Sequence, residues 1–434
     1  MTTYANIETA FFEMFNEVPR LLLRAQLKKR LSERGVDFNA SALERLVDHM
    51  FGPDEDAVNF SETDFVNSDG SAFDLNELEF GDKDLDDMDV EMQSLVSKMP
   101  DIVRSTSRQA SKILIKSAIR QWYEDANLRQ SETNAFAARL KWRWRNGLVP
   151  LNLLVEIASE YGASLNQRLL EANDNKLKVK QVALFKLHMR GCQVTREIIV
   201  LLEAGLADGA AARWRTLFEI AVVASVISKS DELTAEKYLA HDIVDMRKSV
   251  LRYEETRKLL SLDPFPAEDW DHIQSLYEQA LAKYGETFGN EYGWAADALG
   301  QKNPRFARLI EFADREGELT FYKTASFNIH ANSRSLFYRL SDMPSHEGVI
   351  AGASNSGLDS PGIGTAFTFT ALTTHLLTEQ ALLEDSIIIQ AMTRLRNLAQ
   401  RGFREARNQL EEDDRFGISL AEAVSGGADL GEFL

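Results

Sequence analysis

From about Pro150 to Glu412, apolar residues recur every three to four positions in long stretches, with most helix-breaking residues falling between the stretches. That period belongs to amphipathic helices, and neither a period-2 strand series nor a βαβ alternation accompanies it. Only 9 prolines occur in 434 residues, which suits long uninterrupted helices. The pattern predicts an all-α fold, a multi-helix array or bundle preceded by an acidic, partly irregular N-terminal segment.

Individual helices follow from the punctuation. Residues 1–50 read as two helices parted near Gly35, with Met1 to Leu23 an amphipathic helix that lacks the basic start of a secretion leader. Further helices are expected over 176–204, 207–228, 231–262, 267–284, 304–316 and 320–340. The third of these starts after the cap pair Ser230-Asp231 and stops before Pro264 and Pro266. Asp342 to Gly364, with five glycines and two prolines, reads as a long loop, and a last helix or broken pair covers 365–412. The apolar run Leu217 to Ser228 is far shorter than the roughly 20 residues that cross a bilayer, so a buried core helix and no membrane partner are expected. The single cysteine, Cys192, permits no intrachain disulfide and suits a reducing, cytoplasmic setting.

Charge divides the first third of the chain. Residues 51–100 hold 15 acids and 2 lysines, net −13 of the chain's −18, and their irregular apolar spacing reads as a poorly ordered or loosely docked segment. Asn67-Ser68-Asp69-Gly70 imitates part of a calcium loop, but Phe65 and Asn76 stand where carboxylates are needed. From Ile102 to Arg145 the sign reverses, with 10 basic residues against 3 acidic. Arg104, Arg108, Lys112, Lys116 and Arg120, four apart, form one slowly winding ridge on a helix. Trp142, Arg143, Trp144 and Arg145 then alternate indoles with cations, a pattern that can hold RNA by phosphate contact and base stacking. The domain reading is therefore 1–50 helical, 51–101 acidic, 102–149 basic and helical, 150–415 the main helical domain, and 416–434 a tail.

Three clusters could carry chemistry. Arg215 and Glu219 lie one turn apart at the entrance to the most apolar helix. Tyr238 and His241 share a second helix with Asp245. Tyr322, Ser326, His330 and Arg334 are spaced i, i+4 and would line one helical face, where a histidine beside a hydroxyl and a guanidinium can serve as general acid or base next to a phosphate. Such pairs also serve simply to stabilise or bridge helices. No His-Glu-x-x-His, no Glu three residues before a histidine, no Gly-Lys-Ser/Thr phosphate loop and no Gly-x-Ser-x-Gly is present, and no metal or cofactor is expected.

The stretches Ala211 to Glu219, Lys237 to His241, and Tyr322 through Ser326 to His330-Ala331 resemble the bacterial helical family catalogued as domain of unknown function 5677, over about residues 175–345. The resemblance implies a helical protein with Arg215, Glu219, Tyr238, His241, Ser326 and His330 as the positions of interest, and implies no activity. A looser similarity is to HEPN-type helical ribonucleases, which use an Arg separated from a His by four to six intervening residues. Arg339 and His346 have six residues between them, although Leu340 replaces the usual polar residue and Pro344 intervenes.

Two functions emerge. One is a metal-independent, HEPN-like ribonuclease effector of a bacterial defence or toxin system, acting on RNA. The other is a non-catalytic helical scaffold or protein-interaction module whose acidic segment masks the basic surface. The apolar stretches 207–228 and 365–390 further predict a homo-oligomer.

Overall fold

A computed structural model describes residues 16–51, 59–78, 81–172, 176–330, 333–342, 350–377 and 381–416. The fold is all-α, and among the described residues the only strands are a pair of two residues each. The chain forms two compact units, 1–127 and 128–434.

In the first unit, α1 (Val18–Glu33) starts with a proline in its first turn, where the missing N–H costs nothing, and ends at Gly35, whose φ of +72° favours glycine. The part of the expected first helix before residue 16 lies outside the described residues. Next come β1 (Asp37–Phe38), α2 (Ala40–Phe51), β2 (Phe65–Val66, antiparallel to β1 with Phe38 opposite Phe65) and the 43-residue α3 (Asp82–Glu124). Leu27, Leu31, Val47 and Phe65 centre a small core, with Met88 of α3 packed on it. Asp84 binds α3 to α1, accepting two 2.6 Å hydrogen bonds from Arg30 and one from Gln26 while capping the Gly81 amide. The Arg30 hydrogen bonds hold its carboxyl down to about 2.

This corrects the reading of the acidic segment. Residues 59–78 supply a strand and a core phenylalanine, and the acids from Asp82 onward open a helix. Leu85, Met88, Met92, Leu95, Met99 and Ile102 recur at steps of three and four there, a period hidden by the irregular residues before it. Asn67 to Ser71 close a hydrogen-bonded turn with Gly70 at φ +85°.

The second unit opens with α4 (Ala126–Ala172) and continues with α5 (Val179–Glu203), α6 (Ala207–Lys229), α7 (Glu232–Ala240), α8 (Asp242–Thr256) and α9 (Ala267–Tyr284). It ends with α10 (Phe306–Phe312), α11 (Leu319–Ala325), α12 (Asp359–Thr374) and α13 (Leu383–Phe416). Asp231 caps α7 through the Thr234 amide, as read from Ser230-Asp231, but the helix breaks at His241 rather than running on to 262. Helix α12 begins five residues before the end of the expected loop, because Pro361 falls in its first turn.

Helix α6 is the centre of the core. Leu217, Phe218, Val222, Val226 and Ile227 are fully buried against α5 and α12, and its alanines let the helices approach closely. Gly191 of α5 seats Leu372 of α12, and Gly364 of α12 seats the Trp214 indole, whose N–H donates to Thr368 at 3.1 Å. The threonines of α12 are tolerated in the interior because Thr365, Thr370 and Thr373 donate back to carbonyls one turn earlier. The apolar surface of α6 and α12 is thus largely consumed within the unit, whereas Leu382, Leu383 and Ile387, further along the expected 365–390 stretch, are exposed. Among the described residues no helix is long and apolar enough to cross a membrane.

His188 on α5 is 3% exposed, stacks on Phe369 and meets the Thr373 hydroxyl at 3.1 Å. Burial lowers its pKa to about 4. The unfolded chain protonates this ring near pH 6.5, so the stabilisation is whole above that value and drains away as pH falls towards 4, by on the order of 3 kcal/mol. Urea unfolding of the wild type should lose stability across that window, and His188→Gln should flatten the loss. An unchanged pH slope in the variant would place the proton uptake elsewhere.

Candidate functional site

Two of the three clusters meet at one place on α6. Arg215 Nε lies 3.1 Å from Glu219 Oε1, one turn apart as the spacing requires, although its N–H makes no hydrogen bond of good geometry there. Helix α11 delivers Tyr322, whose hydroxyl donates to the same Glu219 Oε1 at 2.8 Å. The Arg215 guanidinium stands 4.8 Å from the Tyr322 ring centre, and Phe218 and Phe306 flank that ring. Burial, followed by the bond to Glu219, pushes the Tyr322 hydroxyl up to about 12. Tyr292 is raised to about 12 as well, by burial and then by the charges of Glu291 and Glu219. Both phenols are therefore protonated donors at neutral pH.

The second cluster acts through backbone. His241 is 4% exposed at the junction of α7 and α8, and its Nε2 lies 3.1 Å from the Phe288 carbonyl and 2.9 Å from that of Asn290. Two acceptors require a protonated Nε2, and burial depresses the ring's pKa, so the neutral tautomer with N–H at Nε2 is assigned. Tyr238 packs edge-on to Trp294 beside it. Together they fix the tight turns from Glu286 to Ala295 that carry Tyr292 to the Phe306–Tyr322 stack. Sequence reasoning missed Tyr292, because a tyrosine inside irregular turns has no periodic signal.

The third cluster does not line up on one face. Helix α11 ends at Ala325 and tightens into 3-10 geometry, so the i, i+4 rule lapses before His330 and Arg334. Ser326 donates to the Tyr322 carbonyl at 2.8 Å, His330 is exposed, and the Arg334 guanidinium lies 5.4 Å from the Phe327 ring. Arg339 donates to the Ile350 carbonyl, while its expected companion His346 lies outside the described residues.

The expected nucleic-acid residues divide. Arg104, Arg108, Lys112, Lys116 and Arg120 are exposed along α3. Trp142 is half-buried under the Arg145 guanidinium, 4.6 Å from its ring centre. Trp144 is fully buried and donates to Asn355 at 2.9 Å, and Arg143 is buried in an ion pair with Asp413. Neither Arg143 nor Trp144 offers a face to a phosphate or a base. Their partners lie more than 200 residues away in sequence, and that burial had no local signature.

Among the described residues, no group of three or more His, Cys, Asp or Glu side chains could hold a metal ion. No curated protein and no solved structure matches the chain. Residues 181–347, which contain Arg215, Glu219, His241, Tyr292 and Tyr322, match the family model described as Family of unknown function (DUF5677). The chain is thus similar to the family of unknown function DUF5677 over that stretch.

Proposed function

We propose that this chain is a non-catalytic helical interaction protein, in which the DUF5677 stretch supplies a rigid body rather than a reaction centre. The observation that carries this reading is the closure of Glu219 on Tyr322. The carboxylate takes the phenol's proton as a hydrogen bond, and Arg215 lies over the same ring. These groups are spent on joining α6 to α11. His241 is likewise spent on two carbonyls, and His330, expected beside a hydroxyl and a guanidinium, is exposed while Arg334 lies by the Phe327 ring and Ser326 donates to a carbonyl. A reducing interior such as the cytoplasm suits the lone, half-buried Cys192.

Incubating the full chain with RNA in the presence of a chelator separates this reading from a HEPN-like ribonuclease. RNA should stay intact, and Tyr322→Phe should cost about 1–2 kcal/mol of stability through the lost bond to a carboxylate. Metal-independent cleavage that disappears in Tyr322→Phe or His330→Ala would overturn it.

A further inference from the structure

From Val103 to Glu124 every residue of α3 is exposed. Ile113, Leu114, Ile115, Ile119 and Tyr123 stand in water there, Ile113 at 71% and Tyr123 at 76%. Ile115, Ile119 and Tyr123, one turn apart, share a side of the helix as an exposed apolar strip, and such a strip marks an interaction site. The helix is also segregated by charge. Its first ten residues carry six acids and Lys83, and its five cations from Arg104 to Arg120 have no acid between them. Asp84 is committed to Arg30, and Asp87 lies 3.8 Å from Lys29, but Asp82, Asp86 and Glu91 are exposed. Arg104 pairs with Asp101, whereas Arg108, Lys112, Lys116 and Arg120 meet no carboxylate among the described residues.

The two blocks are centred about 25 residues apart, roughly 38 Å along a helix rising 1.5 Å per residue. A continuous helix cannot fold its own halves together, so the acidic half does not mask the basic half within one molecule. A second molecule can supply the complement to both halves.

We propose that α3 pairs antiparallel with α3 of a second copy, with the two-fold axis near Met99 and Pro100. The stretch Asp82–Glu91 of each copy then lies along Arg104–Arg120 of the other. This deepens the interaction-protein reading and rests on it, naming the partner that the surface fits. An antiparallel pair satisfies both ends at once, as a self-complementary two-fold interface does. Met92, Leu95, Met99, Ile102 and Thr106 follow one another at steps of three and four, so a seam of apolar and small residues runs across the axis from the end of the acidic half into the basic half. A parallel pair would set acid on acid and base on base. RNA would meet only the basic half and leave the acids facing phosphates.

Sedimentation equilibrium of the full chain should show a dimer at micromolar concentration that weakens as salt rises from about 0.1 to about 1 M. R108E/K112E/K116E should weaken it by about 100-fold or more, since attractive pairs become repulsive at both ends. D82K/D86K/E91K should do the same, and mixing the two triple variants should restore a dimer containing one of each. Circular dichroism should show all of them folded, the changed residues being exposed. Met99→Cys should crosslink to itself on oxidation while Ala110→Cys does not, its own counterpart lying roughly 30 Å away.

A monomeric wild type at micromolar concentration overturns the pairing. So does self-crosslinking at Ala110→Cys, or a monomer that binds RNA salt-dependently through the ridge. A dimer that also cleaves RNA would sink the interaction-protein reading and leave the pairing standing. A monomer without cleavage would sink the pairing alone.

Discussion

Gly402→Ala should destabilise the second unit by about 3 kcal/mol or more, or prevent its folding. Helix α13 crosses α4 at this glycine so closely that an added Cβ would sit 2.0 Å from the Asn146 carbonyl oxygen and 2.5 Å from the Gly147 nitrogen. Both atoms are helix backbone and cannot swing aside as a side chain can, so the helices must separate. Separation would also unseat Phe403, a fully buried ring held between Gly147 and Gly362, where added Cβ atoms would come within 2.6 and 2.4 Å of it. Alanine is the better helix former by about 1 kcal/mol, so the clash is opposed by a real local gain and must exceed it. Gly317→Ala is the control, because nothing lies within 4 Å of its added carbon, and it should be neutral or slightly stabilising. Thermal unfolding should show a midpoint lower by roughly 5–10 °C for Gly402→Ala and unmoved for the control. Equal midpoints would mean that α4 and α13 do not cross at this contact.

Arg143→Met should cost about 3–5 kcal/mol by removing one partner of a buried ion pair. The Arg143 and Asp413 side chains are 3% and 8% exposed, so water cannot solvate what the substitution abandons. Asp413 would keep only the 2.9 Å bond from Gln409, too little for a buried carboxylate. The pair itself contributes much less than its rupture costs, because desolvation of both charges offsets their attraction. The double variant R143M/D413L should therefore recover most of the lost stability. Chemical denaturation of the three proteins decides the matter, and a single variant within 1 kcal/mol of wild type, by the additivity limit for uncoupled sites, would remove Arg143 from the core. A surface role in holding phosphates would instead leave stability unchanged and weaken RNA binding.

Burial explains why Arg143 and Trp144 were misread as a binding strip. Alternating indoles and cations look the same in sequence whether they face water or a partner helix. On α4 they point in different directions, about 100° apart per residue, so Arg145 and Trp142 reach the surface while the two between them do not. Arg215, Glu219 and Tyr322 were legible as separate pieces, since a one-turn spacing is a local property. Their convergence was not, because Tyr322 arrives on a helix a hundred residues later.

By itself the sequence determined the all-α class, the span of α9, the core helix α6, the cap at Asp231 and the break at Gly35, all of which rest on contacts within a few residues. Tertiary structure alone decided that α11 ends before His330, that His241 grips a distant turn, and that an acidic segment becomes half of a rod. Those outcomes depend on which surfaces meet across hundreds of residues, and periodicity records only that a face is apolar, never what will cover it.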